Sequence, residues 1–369
     1  MTSGHFVIMA GGTGGHVFPA LAVADKLREQ GHSVSWLGTA RGLEAELVPA
    51  AGYEIDFIGI AGLRGNGTLG WLLAPWRVSR ALWQSLAILR RRRPVAVLGM
   101  GGFAAGPGGL AAWLRRTPLV IHEQNAVAGL TNRLLSRLAG RVLAAFPQAF
   151  GKRAEPVGNP LRTAITELPP PELRLAGREG PLRLLVLGGS LGAAVFNEVL
   201  PQALASLPEG ARPQVRQQTG KRNIEAARSH YAEAGIAVEL LPFIDEMAAA
   251  YGWADLVLCR AGALTVSELA AVGVASVLVP YPHAVDDHQR ANASALAEAG
   301  AAVLLPQAEM TPKGLAELLS DFSADAQAGR SRLAEMANRA RAQARPAAAA
   351  EVAAICIAQA GLAQQEEVV

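Results

Sequence analysis

Cysteine is nearly absent. Cys259 and Cys356 are the only two in 369 residues, too few and too far apart for a disulfide framework, and a reducing compartment is expected. Charged residues are also scarce, at 18%, and the net charge is only +3, so no nucleic-acid partner is implied. Hydrophobic residues reach 51%, which excludes a disordered chain. The first residues, MTSGHFVIMAGG, lack both a charged start and a long apolar core, so no secretory signal is expected. Pro94 to Leu114 runs 21 residues without a charge, the length of a membrane span. It contains six Gly and two Pro, which make a poor span. It reads as strand, glycine loop and helix start.

A chain of 369 residues implies about two domains. Residues 6–10 (FVIMA) form a short apolar run, followed by GGTGGH and a helical pattern from Pro19 to Gln30. SVSWLG at 33–38 is a second strand, so this is a β-loop-α-β unit with a parallel sheet. The pattern recurs in LRLLVLGGSLGAAVFNEVL at 182–200. Further segments that open with a strand occur at 95–102 and 118–125 in the first half, and at 238–244, 254–271 and 275–282 in the second. The expectation is α/β: two Rossmann-like doubly wound domains facing a cleft, with ligand at the carboxyl ends of the strands. The boundary is placed near Gly158-Asn159-Pro160. Residues 1–161 would form the first domain and 162–345 the second. Pro346 breaks a helical run, and the apolar tail 346–362 is expected to pack back on the first domain.

Gly11-Gly12-Thr13-Gly14-Gly15-His16 brings backbone amides to a helix N-terminus, which favours an anion. The other reading is a tight turn without a ligand. The loop is no dinucleotide fingerprint. Val17 stands where a third glycine belongs, and the next strand ends Leu37-Gly38-Thr39 without an acid for a ribose. A dehydrogenase is therefore disfavoured. A helix start favours neutral histidine, so His16 is a candidate proton acceptor, or else a packing histidine. Gly188-Gly189-Ser190-Leu191-Gly192 offers a second anion cradle or a structural turn. Glu268, one turn into a helix after Arg260-Ala261-Gly262, would hold a ribose or form a capping box with Thr265. His122-Glu123-Gln124-Asn125 ends a buried strand in polar residues, and His122 and Glu123 are further candidates for a base. His283 to Gln289 does the same in the second half, without the spacing of a zinc site. No Asp-x-Asp pair occurs, so leaving-group charge must be met by helix dipoles, amides and cations such as Arg162.

Residues 71–93 carry two stripes. Pro75, Val78, Leu82, Leu86 and Leu89 read as a core face. Trp76 and Trp83 lie about 100° away, beside Arg80 and Arg90. Trp with Arg suits a membrane interface, extended by Trp113, Arg115 and Arg116; the alternative is a solvated helix with buried tryptophan.

Together these segments resemble the MurG family, UDP-N-acetylglucosamine transferases that convert lipid I to lipid II. The resemblance rests on GGTGGHVFPALAVA (11–24), GMGGFAAGPGG (99–109), IHEQNAVAGLTNRLL (121–135), VGNPLR (157–162), LGGSLGA (187–193), RAGALTVSELAAVG (260–273) and HAVDDHQRANA (283–293), and so spans the chain. It implies a GT-B fold, inversion at the anomeric carbon, no metal and no cofactor. It implies that Ile244 meets the uracil and Glu268 the ribose. Ser190 and the helix start Ala263, Leu264, Thr265, Val266 and Ser267 would hold the diphosphate. Asn125, Gln289 and Ala263 would contact the sugar, with Thr13, Gly14, Gly15 and Arg162 completing the donor site and His16 as base. The implied partners are UDP-N-acetylglucosamine, undecaprenyl-linked lipid I and an anionic membrane surface, on the cytoplasmic face of the inner membrane. Two rivals stand beside it: another GT-B enzyme, a UDP-N-acetylglucosamine epimerase, and a non-catalytic nucleotide-sugar-binding partner, which would keep Glu268 and the loops but not need His16 or Asn125. The Trp/Arg helix argues against the first.

Overall fold

The computed structural model describes residues 3–60, 74–189 and 192–362. The chain forms two compact units. The first comprises Met1–Arg162 with Arg345–Val369, the second Thr163–Ala344.

The first unit holds a seven-stranded parallel sheet in the order β3-β2-β1-β4-β5-β6-β7. Its strands are β1 His5–Met9, β2 Ser33–Gly38, β3 Glu54–Phe57, β4 Ala96–Gly99, β5 Leu119–Glu123, β6 Arg141–Ala144 and β7 Glu155–Pro156. Ile8 of β1 lies opposite Trp36 on one side and Leu98 on the other. Alternation along β1 sends Phe6 and Ile8 to one face and Val7 and Met9 to the other, and both faces are covered. The first face packs against helices Gly14–Glu29 and Ala348–Gln359. In the latter, Val352, Ala353, Cys356 and Ile357 are buried. Burying Val352 and Ile357 is worth about 1.5–3 kcal/mol each, which holds the far end of the chain on this unit.

The opposite face packs against helices Ala74–Arg92 and Ala105–Leu114. Pro94–Leu114 therefore contains β4, a glycine loop and a helix. The core face expected on the first helix is corrected at two of its five positions; Leu82, Leu86 and Leu89 do pack on the core. Pro75 and Val78 are exposed, and the buried residues are Ala74, Ala81, Ser85, Ile88 and Leu89. Small Ala81 and Ser85 let this helix approach its neighbour, whose buried residues include Gly108, Ala111 and Ala112.

The second unit holds a six-stranded parallel sheet, β10-β9-β8-β11-β12-β13. Its strands are β8 Arg183–Leu187, β9 Gln214–Gln218, β10 Glu239–Leu241, β11 Leu256–Cys259, β12 Ala275–Leu278 and β13 Ala302–Leu304. Val186 lies between Gln217 and Leu258. Arg178 straps the Pro-rich lead-in to this unit. Its guanidinium donates to the carbonyls of Gly252, Trp253 and Ala254 and pairs with buried Asp255. Strand order reverses between β1 and β4 in one sheet and between β8 and β11 in the other. Ligands bind at such points, at the carboxyl ends of the strands.

Candidate functional site

At the first reversal point the chain leaves β1 through Ala10-Gly11-Gly12. The helix starts at Gly14, five residues before the expected Pro19, because the His16 and Val17 amides already bond to the Thr13 carbonyl at 3.1 and 3.2 Å. Thr13 is thus the N-cap, and Gly14, Gly15 and His16 form the first turn.

The loop carries an anion of its own. Glu44 is fully buried and accepts the Gly12 amide at 2.8 Å. Its other oxygen accepts the amide and hydroxyl of Thr39 at 3.0 and 2.7 Å. A Cβ on Gly11 would sit 2.4 Å from this carboxylate. The Gly12 amide is therefore committed, and the amides that can meet a ligand are those of Thr13, Gly14 and Gly15. An acid does lie near the end of β2, but it closes the loop.

The second wall is the turn after β4. Gly101 and Gly102 have φ of 93° and 84°. A Cβ on Gly102 would strike the Gly11 carbonyl at 2.4 Å, and one on Gly101 would meet the His16 ring at 2.9 Å. Only glycine allows the two loops and this imidazole to pack together.

β5 ends behind them. His16 Nδ1 is 2.8 Å from Gln124 Oε1. Gln124 Nε2 is 3.2 Å from His122 Nδ1, and His122 Nε2 is 2.8 Å from the Gly158 carbonyl. His16 is half-buried, while Gln124 and His122 are buried. Burial pulls the His122 pKa down to about 4, against the Gly158 carbonyl and Glu123, which pull it up. Glu123 accepts from four donors: the amide and side chain of Asn125, the Gly129 amide and the Asn132 side chain. Neither His122 nor Glu123 has an exposed lone pair to offer a substrate. His16 does, at Nε2.

The VGNPLR segment supports this cluster. Gly158, at φ 84°, supplies the carbonyl to His122, and Asn159 Nδ2 donates to the Gln124 carbonyl at 3.3 Å. The Arg162 guanidinium lies 5.0 Å from the Phe18 ring centroid, one turn beyond Gly14 and Gly15.

In the second unit, β11 leads through Arg260-Ala261-Gly262 into helix Ala263–Val272. Gly262 is the N-cap, and Thr265 lies inside the helix, so the capping box with Glu268 does not form. Glu268 is buried and accepts from the Tyr251 hydroxyl at 3.0 Å. The Val266 amide bonds to the Gly262 carbonyl and its side chain is buried, so amides facing an anion precede Val266. Leu264 and Thr265 are half-buried, and the Ser267 hydroxyl donates to the Ala263 carbonyl at 2.9 Å. Asn292 Nδ2 donates to the Ala261 carbonyl at 3.2 Å and ties helix His288–Glu298 to this turn. Gln289, one turn earlier, accepts the Tyr281 amide at 2.8 Å. Arg260 braces the turn. It lies against the rings of Phe196 and Tyr281 and donates to the Val279 and Pro280 carbonyls and to Gln307. Ile244 is buried between β10 and helix Met247–Trp253, which carries Tyr251. Ser190 lies outside the described residues. Among the described residues no three His, Cys, Asp or Glu side chains cluster as metal ligands.

Trp76 and Trp83 are 69% and 72% exposed, so they are surface residues. Trp113 and Leu114 end the neighbouring helix, also exposed. Leu130 and Leu134 of helix Leu130–Leu135 are exposed as well, which the sequence reading had not singled out. Among the described residues no helix is long and apolar enough to cross a membrane.

Two doubly wound parallel sheets, each with a glycine turn and a helix N-terminus at its reversal point, define the GT-B fold. Residues 6–144 match the glycosyltransferase family 28 N-terminal domain and residues 183–352 its C-terminal domain. A UDP-N-acetylglucosamine–N-acetylmuramyl-(pentapeptide) pyrophosphoryl-undecaprenol N-acetylglucosamine transferase from Alkalilimnicola ehrlichii is 62% identical over 96% of this chain and 98% of its own. The enzyme of the same name from Marinobacter nauticus is 56% identical over 95% and 96%. The crystal structure of Acinetobacter baumannii MurG is 44% identical, covers 96% of this chain and 99% of its own, and superposes with a TM-score of 0.80. The chain belongs to the MurG family within glycosyltransferase family 28.

Proposed function

We infer that the protein transfers N-acetylglucosamine from UDP-N-acetylglucosamine to the N-acetylmuramyl hydroxyl of lipid I, making lipid II. The observation that carries this reading is the 62% identity, over 96% of the chain, to a transferase named for that reaction.

The site chemistry proposed here takes the roles that the family resemblance implies and fits them to the residues described above. Glu268 accepts the ribose hydroxyls beside Tyr251, and Ile244 meets the uracil. The diphosphate lies at Ser190 and at the first amides of helix Ala263–Val272, where the helix dipole offsets its charge. Asn125, Gln289 and Ala263 contact the sugar. Thr13, Gly14, Gly15 and Arg162 complete the donor site, and no metal takes part. The acceptor hydroxyl attacks the anomeric carbon from the face opposite UDP and inverts it. Its proton passes to His16 Nε2 as the bond to UDP breaks. The exposed Trp76, Trp83 and Trp113, with Arg77, Arg80, Arg115 and Arg116 close by in the chain, seat the enzyme peripherally on the anionic cytoplasmic leaflet, where a lipid-linked acceptor resides.

The test is label transfer from UDP-N-acetylglucosamine to a lipid I analogue, by the purified protein with EDTA present. Formation of a labelled disaccharide lipid supports the reading. Turnover of the UDP-sugar without acceptor would instead mark an epimerase, and no turnover a binding protein.

A further inference from the structure

The three links between His16 and Gly158 have a forced direction. A backbone carbonyl only accepts, so His122 Nε2 carries the hydrogen that bonds to Gly158 at 2.8 Å. His122 is wholly buried and its pKa is pulled down to about 4, so it is neutral at physiological pH. A neutral imidazole has one N–H, hence His122 Nδ1 accepts. The group facing it, 3.2 Å away, must be the amide NH2 of Gln124. The same NH2 lies 3.4 Å from the His122 carbonyl, a second acceptor that orients it the same way. The Gln124 carbonyl oxygen then faces His16 Nδ1 at 2.8 Å, and oxygen accepts.

We propose that Gln124 is a positioning residue whose side-chain amide, oriented by His122 and the Gly158 carbonyl, holds neutral His16 as the Nδ1–H tautomer and keeps its Nε2 lone pair open to the acceptor hydroxyl. This rests on His16 being the base. Without a partner, an imidazole favours the opposite tautomer, with the hydrogen on Nε2, which cannot take a proton there. The ring is also wedged against Gly101, where a Cβ would come within 2.9 Å, so it cannot easily turn to offer its other nitrogen. During transfer the hydroxyl proton moves to Nε2, the new C–O bond forms and UDP departs with the electron pair of the broken bond. The imidazolium keeps its Nδ1–H bond to Gln124. A neutral amide serves this role because a carboxylate there would favour the protonated ring and reduce the fraction ready to act.

The proposal is tested on the full-length protein by nitrogen NMR of ¹⁵N-histidine-labelled samples, with the His16 signals assigned by their loss in His16→Ala. The wild type should show a protonated Nδ1 and an unprotonated Nε2 on neutral His16. A predominant Nε2–H form overturns the proposal without any variant. Gln124→Leu should shift the signals toward the Nε2–H form and lower kcat about 10-fold, the worth of one hydrogen bond, with UDP affinity unchanged. In the His16→Ala background the same substitution should cost nothing further, because its effect passes through His16. A normal kcat and tautomer in Gln124→Leu overturn the positioning role alone. Normal activity in His16→Ala overturns the base reading, and the proposal with it.

Discussion

His122 makes the first unit acid-sensitive. It is neutral and wholly buried, with its pKa pulled from 6.5 to about 4. Above pH 6.5 neither the folded nor the unfolded chain protonates it. Below that, the unfolded chain takes up a proton that the folded one refuses, so stability falls as the pH drops through this window. One pKa unit is about 1.4 kcal/mol, so the full loss is about 3 kcal/mol below pH 4, of which about 2 kcal/mol is gone by pH 5. His122→Gln keeps a donor for the Gly158 carbonyl but does not titrate. Urea unfolding followed by tryptophan fluorescence reads the relevant unit, since Trp253 is the only tryptophan of the second. His5 and His32, whose pKa values are also lowered by burial, are common to both proteins and cancel. The variant should be less stable than wild type at about pH 7.5, and that gap should shrink by about 2 kcal/mol at about pH 5. A gap that does not change with pH would refute the reasoning, because it would mean that His122 takes its proton as readily folded as unfolded.

Four other outcomes are expected. His16→Ala should lower kcat about 10²–10⁴-fold while UDP affinity is kept, measured by steady-state transfer and calorimetry. Glu268→Ala should weaken UDP binding about 10- to 150-fold, and unchanged affinity in a folded variant would remove the ribose assignment. Transfer should persist in EDTA; loss of activity that Mg²⁺ restores would contradict a site built on amides and helix dipoles. Trp76→Ser with Trp83→Ser should reduce binding to anionic vesicles but not turnover of a short-chain soluble acceptor or the melting temperature, since both rings are already exposed.

The doubly wound architecture was legible where an apolar run met a glycine turn. β1 begins one residue before the run read at 6–10, and β2, β4, β5, β8, β10, β11 and β12 fall within segments read as containing strands. β3, β6, β7, β9 and β13 were not read. β7 is only two residues long, too short to show a period. β9, QVRQQ, is polar, yet Gln217 is fully buried because its amide bonds to Asn197 and accepts from Tyr231. A strand satisfied by side-chain partners far along the chain leaves no hydrophobic signature.

The site divides in the same way. The glycine loops, His16, Glu268 and the polar end of β5 were visible as residue types at a strand-to-helix turn. Which of them are exposed enough to react was not. His16 was the base preferred on the sequence, with His122 and Glu123 as the alternatives behind it. Burial and hydrogen-bond count separate them: Glu123 is filled by four donors and His122 by two partners, while His16 keeps one nitrogen open. Glu44 was invisible for a related reason. It sits five residues past Thr39 in an ordinary run, LEAEL, and only the fold brings its carboxylate under Gly12. A buried carboxylate there must be repaid by donors, and the loop supplies them from Gly12 and Thr39. The same bonds draw the loop's first amide away from any ligand and leave Thr13, Gly14 and Gly15 to face outward beside His16. The glycines thus divide within one turn, Gly11 and Gly12 packing on Glu44 while Gly14 and Gly15 begin the helix, and a motif read by its letters cannot tell which glycine does which.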